Sequence, residues 1–200
     1  AAALIVGTIS YLEITKIRNS QSNTNQGQPI ALTNPTDNGP EATNNSVESI
    51  QDRVMSIKEK AKKYPSAVEI IPGGQFINSD PFTLKSLIGK KVILVDFWTY
   101  TCINCQRTTP YLKSWYEKYK DQGFVIVGVH SPEFEFEKEY NNVLKAVQDA
   151  GIKYPVVQDN NFATWNAYGN RFWPRKYLID IDGYIVYDHI GEGAYDDTEK

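Results

Sequence analysis

Between Lys91 and Thr99 the chain runs Val92-Ile-Leu-Val-Asp-Phe-Trp98, seven residues of which only Asp96 is polar. An apolar run that is nearly continuous, and too short for an ordinary helix, marks a strand buried on both faces of a sheet. Such a strand needs helices packed above and below it, which restricts the chain to α/β architectures. Phe124-Val-Ile-Val-Gly-Val129 is a second run of the same kind. Between and beyond these runs, residues 103–119 read as a helix. Residues 135–150 read as another, with Phe136, Tyr140, Val143, Leu144 and Val147 on one face. Tyr177 to Asp180 and Tyr184 to Tyr187, separated by Asp182-Gly183, form a hairpin. Upstream, Val68 to Ile71 and Gln75 to Asn78 read as short strands around Gly73-Gly74, and Phe82 to Leu87 as a turn or short helix. The expected outcome is a central mixed sheet with helices on both sides and no internal repeat.

The 200 residues suffice for one such domain plus extra length, and the extra length is at the N-terminus. Residues 1–12 are apolar or small and uncharged, whereas about 20 residues are needed to cross a bilayer as a helix. They read as the end of a transmembrane helix that starts upstream, with residues 1–18 including its juxtamembrane flank; a buried terminal segment of the domain is the open alternative. A chain beginning at Ala1, with Met55 as its only methionine, is not expected to be a complete translation product. Lys16 and Arg18 favour a cytoplasmic flank, but long domains cross membranes largely regardless of such charges. Residues 19–46 are rich in Asn, Gln, Ser, Thr and Pro, lack Lys, Arg and aromatics, and cannot bury enough surface to offset chain entropy. As a flexible linker they span roughly 30 Å. Residues 47–67 lead in with an amphipathic helix over 47–62, capped by Ser46, whose stripe Val47, Ile50, Val54, Ile57 and Ala61 is expected to dock on the domain of residues 68–200.

Charge and cysteine usage narrow the chemistry. Lys and Arg total 21 against 24 Asp and Glu, so the chain lacks the basic footprint of a nucleic-acid binder. Its only cysteines, Cys102 and Cys105, form one Cys-Ile-Asn-Cys unit just past the first buried strand. With the first cysteine at a helix N-terminus and the second one turn inside, the sulfurs can meet, and free N–H groups with the helix dipole favour a reactive thiolate. Cys102 is then the nucleophile and Cys105 the resolving thiol. As a staple, the bridge would close a four-residue loop worth only about 2 kcal/mol. As half a zinc site it would need two further ligands, and His130 and His189 stand singly. Neither an inert pair nor zinc is eliminated by spacing alone, but no metal or cofactor is expected.

Asp96 lies within the first buried strand, where an isolated carboxylate is expensive. Desolvation would raise its pKa and suit it to exchange a proton with the buried thiol; a carboxylate hydrogen-bonded at a strand end is the alternative. Pro174 follows Trp173 just before a strand, where proline must sit at an edge or bend. Pro110 falls within the helical run and should kink it. Trp98, Tyr100, Phe172 and Trp173 are candidates for an apolar surface that receives unfolded or extended polypeptide, although Trp98 is as readily a core residue.

The combination of Val-Asp96-Phe-Trp-Thr-Tyr-Thr-Cys102-Ile-Asn-Cys105 with Pro110, and of Trp173-Pro174 before Ile179-Asp-Ile-Asp-Gly183, resembles the thioredoxin superfamily. Pro81-Phe-Thr-Leu-Lys-Ser-Leu-Ile-Gly-Lys90 resembles its TlpA/ResA-like branch. Val129-His-Ser-Pro-Glu-Phe-Glu-Phe-Glu137, Tyr154-Pro155, Trp165 and His189-Ile-Gly-Glu-Gly-Ala-Tyr195 are most similar to the thioredoxin-like domain of DipZ-type proteins, which follows a CcdA-like membrane domain. The resemblance covers about residues 68–200. It implies a three-layer thioredoxin fold and a membrane-anchored thiol-disulfide oxidoreductase outside the cytoplasm. Such an enzyme takes electrons from a CcdA-like membrane donor and passes them to disulfide-containing proteins, cytochrome c maturation being one setting. It further implies that Pro174 is the cis-proline that aligns substrate backbone with Trp173, Tyr100 and Thr101 nearby, and that Asp96 is the acid beneath Cys105. Thr101 stands where thioredoxin has tryptophan, and Ile103-Asn104 where it has Gly-Pro, so a redox potential cannot be carried over. The last helix, beginning near Tyr195, is expected to be cut short at Lys200. Two alternatives stay open: a peroxiredoxin-like thiol peroxidase, since Thr99-Tyr-Thr-Cys102 echoes the Thr-x-x-Cys of that family although Val95 replaces its proline, and a non-catalytic interaction module.

Overall fold

The computed structural model of the chain describes residues 44–200. The transmembrane and linker expectations for residues 1–43 lie outside these residues. Twelve elements follow in order: α1 (Asn44–Lys63), β1 (Phe76–Ile77), α2 (Leu84–Leu87), β2 (Val92–Trp98), α3 (Ile103–Tyr119), β3 (Phe124–His130), α4 (Tyr140–Asp149), β4 (Val156–Gln158), α5 (Ala163–Ala167), β5 (Arg175–Ile179), β6 (Ile185–Ile190) and α6 (Tyr195–Glu199). The six strands form one mixed sheet in the order β1-β4-β3-β2-β5-β6. β2, β3 and β4 run parallel, and β1, β5 and β6 extend the sheet with antiparallel pairings.

Side-chain alternation along β2 explains the two cores. Ile93, Val95 and Phe97 point into a cluster with Leu84, Val127, Val129 and Trp165. Leu94 and Trp98 point to the other face, against Leu112 and Trp115 of α3 and Val143 and Val147 of α4. Helix α3 buries Cys105, Thr108, Thr109, Leu112 and Trp115, a helical stripe at steps of three and four. The helix runs on through Pro110. Beside α6 an open cleft lined by Val92, Leu94, Trp115, Tyr119 and Leu178 leaves part of that face uncovered.

Several boundaries differ from the sequence reading. Helix α1 begins at Asn44, inside the expected linker, so Ser46 lies in its first turn; the first N–H groups of a helix need no intrahelical partner, which lets polar residues occupy that turn. Of its expected apolar stripe, Val54 is 44% exposed and Ala61 is exposed, while Ile57 is half-buried. Ion pairs tie the helix to the domain, from Lys60 to Asp180 and Asp182 at 2.7 Å each and from Arg53 to Asp182 at 3.0 Å. Residues 68–71 form no strand, because side chains take the place of ladder partners. Glu69 accepts from the Leu84 and Lys85 amides, and Thr164 Oγ1 both accepts from the Ile71 N–H and donates to the Ile71 carbonyl. The expected helix over 135–150 breaks into a 3₁₀ turn, Glu135–Lys138, and α4, leaving Phe136 at the surface. No helix among the described residues is long and apolar enough to cross a membrane.

Candidate active site

Cys102 is the N-cap of α3, at the end of the turn that leaves β2, and is half-buried. Its Sγ lies 3.9 Å from the Trp173 carbonyl oxygen, to which the S–H donates. Cys105, one turn inside the helix, is only 3% exposed. Both thiols are free, and their side chains hydrogen-bond to each other. Burial pushes the Cys105 thiol well above its ordinary range; its bond to Cys102 and the charge of Asp96 push the same way. The pair is thus divided into an accessible sulfur at a helix N-terminus and a protected one behind it.

Asp96 reaches this site because β2 alternates. Its neighbours Leu94 and Trp98 face α3, so Asp96 shares the face that holds Cys105. Its carboxyl is buried, and Oδ1 has no hydrogen-bond partner. Desolvation raises its pKa from 3.8 to about 7, against the opposing charge of Lys176. In register across the sheet, Asp96 pairs with Gly128 on one side and Lys176 on the other. Lys176 is fully buried, and its Nζ donates to the Gly191 carbonyl at 3.0 Å. The Tyr154 hydroxyl, held above its ordinary range first by burial and then by the charges of Asp96 and Cys105, belongs to the same core. A carboxyl poised near neutrality beneath a buried thiol can take that thiol's proton as it becomes a nucleophile.

The Trp173-Pro174 peptide bond is cis, and Pro174 is buried immediately before β5. Trp173 packs on Trp165 with ring centroids 4.4 Å apart, and its indole N–H donates to the Ser131 carbonyl at 3.1 Å. Of the residues read as a polypeptide-binding surface, Phe172 is exposed and Tyr100 and Trp173 are half-buried. Trp98 is buried in the core. Thr101 is exposed, and its hydroxyl donates to Glu137 at 2.6 Å.

Residues 89–185 match the family described as thioredoxin-like. The domain has the thioredoxin fold and is similar to the TlpA/ResA-like branch of that superfamily. Over 119 residues the chain is 53% identical to protein DipZ of Mycobacterium tuberculosis, an alignment that takes in 60% of this chain and 17% of that protein. It is 34% identical over 116 residues to thiol-disulfide oxidoreductase ResA of Bacillus anthracis, covering 58% of this chain and 64% of ResA. The crystal structure of the thioredoxin domain of a thiol-disulfide oxidoreductase from Bacteroides vulgatus superposes with a TM-score of 0.55 at 27% identity, over 68% of this chain and 94% of that one. The two free cysteines, Cys102 and Cys105, lie within the stretch that matches this family.

Sequence reasoning missed three residues that surround this dithiol. Lys176 lies opposite Asp96, Glu137 binds the Cys102 turn, and His130 packs beneath it with Nε2 at 3.3 Å from Thr99 Oγ1. His130 is fully buried, and burial lowers its pKa to about 4 despite the nearby charge of Glu137, so the ring is neutral. Lys176 follows Arg175 at the start of its strand, so a second cation beside it masked any signal of its burial. The acceptor bond of Glu137 to the amide three residues earlier is half of a capping box, readable from spacing. Its bond to Thr101 spans 36 positions and is a tertiary fact.

Proposed function

We propose that this domain reduces disulfide bonds of protein substrates on the extracytoplasmic side of a membrane, with electrons from a CcdA-like membrane donor. The observation that carries the redox part is the division of labour between the sulfurs: Cys102 accessible at a helix N-terminus, Cys105 buried on the Asp96 face. In the forward half, the Cys102 thiolate attacks one sulfur of the substrate disulfide. The S–S bond breaks, a mixed disulfide forms and one substrate thiolate leaves, taking a proton from solvent. Asp96 then accepts the Cys105 proton, and the Cys105 thiolate attacks Cys102 Sγ and expels the second substrate thiolate. Two electrons have passed to the substrate, and the domain is left with a Cys102–Cys105 disulfide. A dithiol donor restores it by the reverse exchange.

The direction of flow and the anchor rest on the DipZ likeness and on the apolar run of residues 1–12. The chain spans 17% of the DipZ length, which leaves room for a separate donor domain in such a protein. Insulin reduction with dithiothreitol as electron source tests the proposal. Activity should vanish in Cys102→Ser, and Cys105→Ser should accumulate a mixed disulfide with substrate. Full activity without Cys102 would refute it, as would peroxide consumption in place of disulfide reduction. A measured potential nearer about -270 mV than about -120 mV is expected of a reductase.

A further inference from the structure

Thr101, the residue before the reacting cysteine, is tied to a segment that plays no part in the exchange steps themselves. Its acceptor, Glu137, is fully buried, although residues 133–136 just before it are all exposed. The second carboxylate oxygen of Glu137 accepts from the backbone N–H groups of Glu133 and Phe134. Burial opposes ionisation of Glu137, but the hydrogen bonds from Thr101, Thr99, Phe134 and Glu133 outweigh it and hold the carboxyl below its ordinary range. One carboxylate therefore fixes two chain segments in a single geometry: the turn that presents Cys102 and the turn over residues 133–137.

The second turn presents two phenyl rings. Phe134 and Phe136 are 48% and 52% exposed and lie parallel, with centroids 5.5 Å apart and 5° between planes. Phe136 stands 6.4 Å from the Tyr100 ring, and Tyr100 stacks on the buried His130. The Phe136 carbonyl accepts from Asn142 Nδ2 at 2.8 Å, which holds the turn from its other side. Scattered exposed aromatics are ordinary on a protein surface, but an ordered, stacked pair tied to a nucleophile's turn is not scattered.

On the reading of the site as a reductase of protein disulfides, we infer that Phe134 and Phe136 determine specificity for disulfides flanked by a bulky apolar side chain in extended polypeptide, and that Glu137 is the positioning residue that holds the two rings beside Cys102. The occupant follows from the covalent step. A substrate must place its sulfur on Cys102 Sγ, and in an extended chain the next residues follow at about 3.3 Å each. They must lie over whatever borders Cys102. One peptide unit and one hydrogen bond separate Cys102 from Glu137, whose neighbour in sequence is Phe136.

The test compares kcat/KM of the full chain for two peptide disulfides that differ only in Leu or Ser beside the cysteine, with hydroxyethyl disulfide as a small substrate. The wild type should prefer the Leu peptide by about tenfold, the effect of about 1.4 kcal/mol of transition-state contact. The double variant Phe134→Ser, Phe136→Ser should bring that ratio below about twofold, and Phe134→Leu, Phe136→Leu should keep most of it. Glu137→Gln leaves an acceptor for Thr101 but sets an amide against two N–H donors, so the ratio should fall through a higher KM for the Leu peptide. Equal loss on both peptides in Glu137→Gln would overturn its positioning role. A wild type that reduces hydroxyethyl disulfide and both peptides with equal efficiency would overturn the inference alone; one inert towards all three would overturn the reading of the site with it.

Discussion

Asp96→Asn removes a carboxyl that the fold keeps in the apolar core between β2 and α3, and its effect on stability has a defined pH course. The group titrates near 3.8 in ordinary surroundings and at about 7 in the folded domain, because burial penalises the charged form. Below pH 3.8 it is protonated in both states and costs nothing. As pH rises from there, the unfolded chain gives up the proton while the folded domain must keep it or bury a charge, so stability declines until pH passes about 7. At 1.36 kcal/mol per pH unit the full cost is about 4 kcal/mol. Asparagine has nearly the same shape and no charge. The reduced Asp96→Asn domain should therefore match the wild type near pH 4, gain steadily to pH 7 and remain up to about 4 kcal/mol more stable above it. Urea unfolding of both proteins under reductant, from pH 4.5 to 8.5, measures the difference directly. A difference that does not vary with pH would refute the reasoning, since it would mean that the carboxyl titrates alike in both states. The same substitution should slow resolution of the mixed disulfide by Cys105 and flatten its pH profile near neutrality; an unchanged profile would remove Asp96 from proton transfer.

Two further outcomes follow from packing and surface charge. A Cβ added at Gly128 would stand 3.0 Å from Trp98 Nε1, 3.2 Å from Val156 Cγ2 and 3.3 Å from Tyr154 Cε2, so Gly128→Ala should destabilise the domain by about 1–3 kcal/mol and alter Trp98 fluorescence; thermal unfolding at wild-type temperature would contradict this. Lys60→Ala should speed amide exchange across α1 while lowering global stability by less than about 1 kcal/mol, because its ion pairs with Asp180 and Asp182 are partly solvated; unchanged exchange would show that other contacts hold the helix.

The two central strands and the active-site helix were legible because each depends on local pattern. Val92–Trp98 is apolar but for Asp96, and α3 repeats buried positions at helical steps, so burial and periodicity coincide with the final elements. Short elements at the margin were less readable. Val156–Gln158 and Ala163–Ala167 were missed, since three to five residues carry too little periodicity to distinguish from loop. How α1 meets the domain was not readable for another reason. Amphipathic spacing is a property of the helix alone, whereas docking depends on a complementary surface, and at Asp180 and Asp182 that surface offers charge.

The sequence by itself determined which reactive groups are present: two cysteines at a two-residue gap after a buried strand, an acid within that strand and a proline before the last hairpin. These are local choices of residue type, and each carries its physical consequence with it. Only the tertiary structure decided how the groups meet. Strand alternation turns Asp96 toward α3, sheet register sets Lys176 opposite it, and a hydrogen bond across 36 positions joins Glu137 to the Cys102 turn. The reason is that desolvation and charge act through space, and neighbours in space are fixed by how strands pair and helices pack rather than by position along the chain.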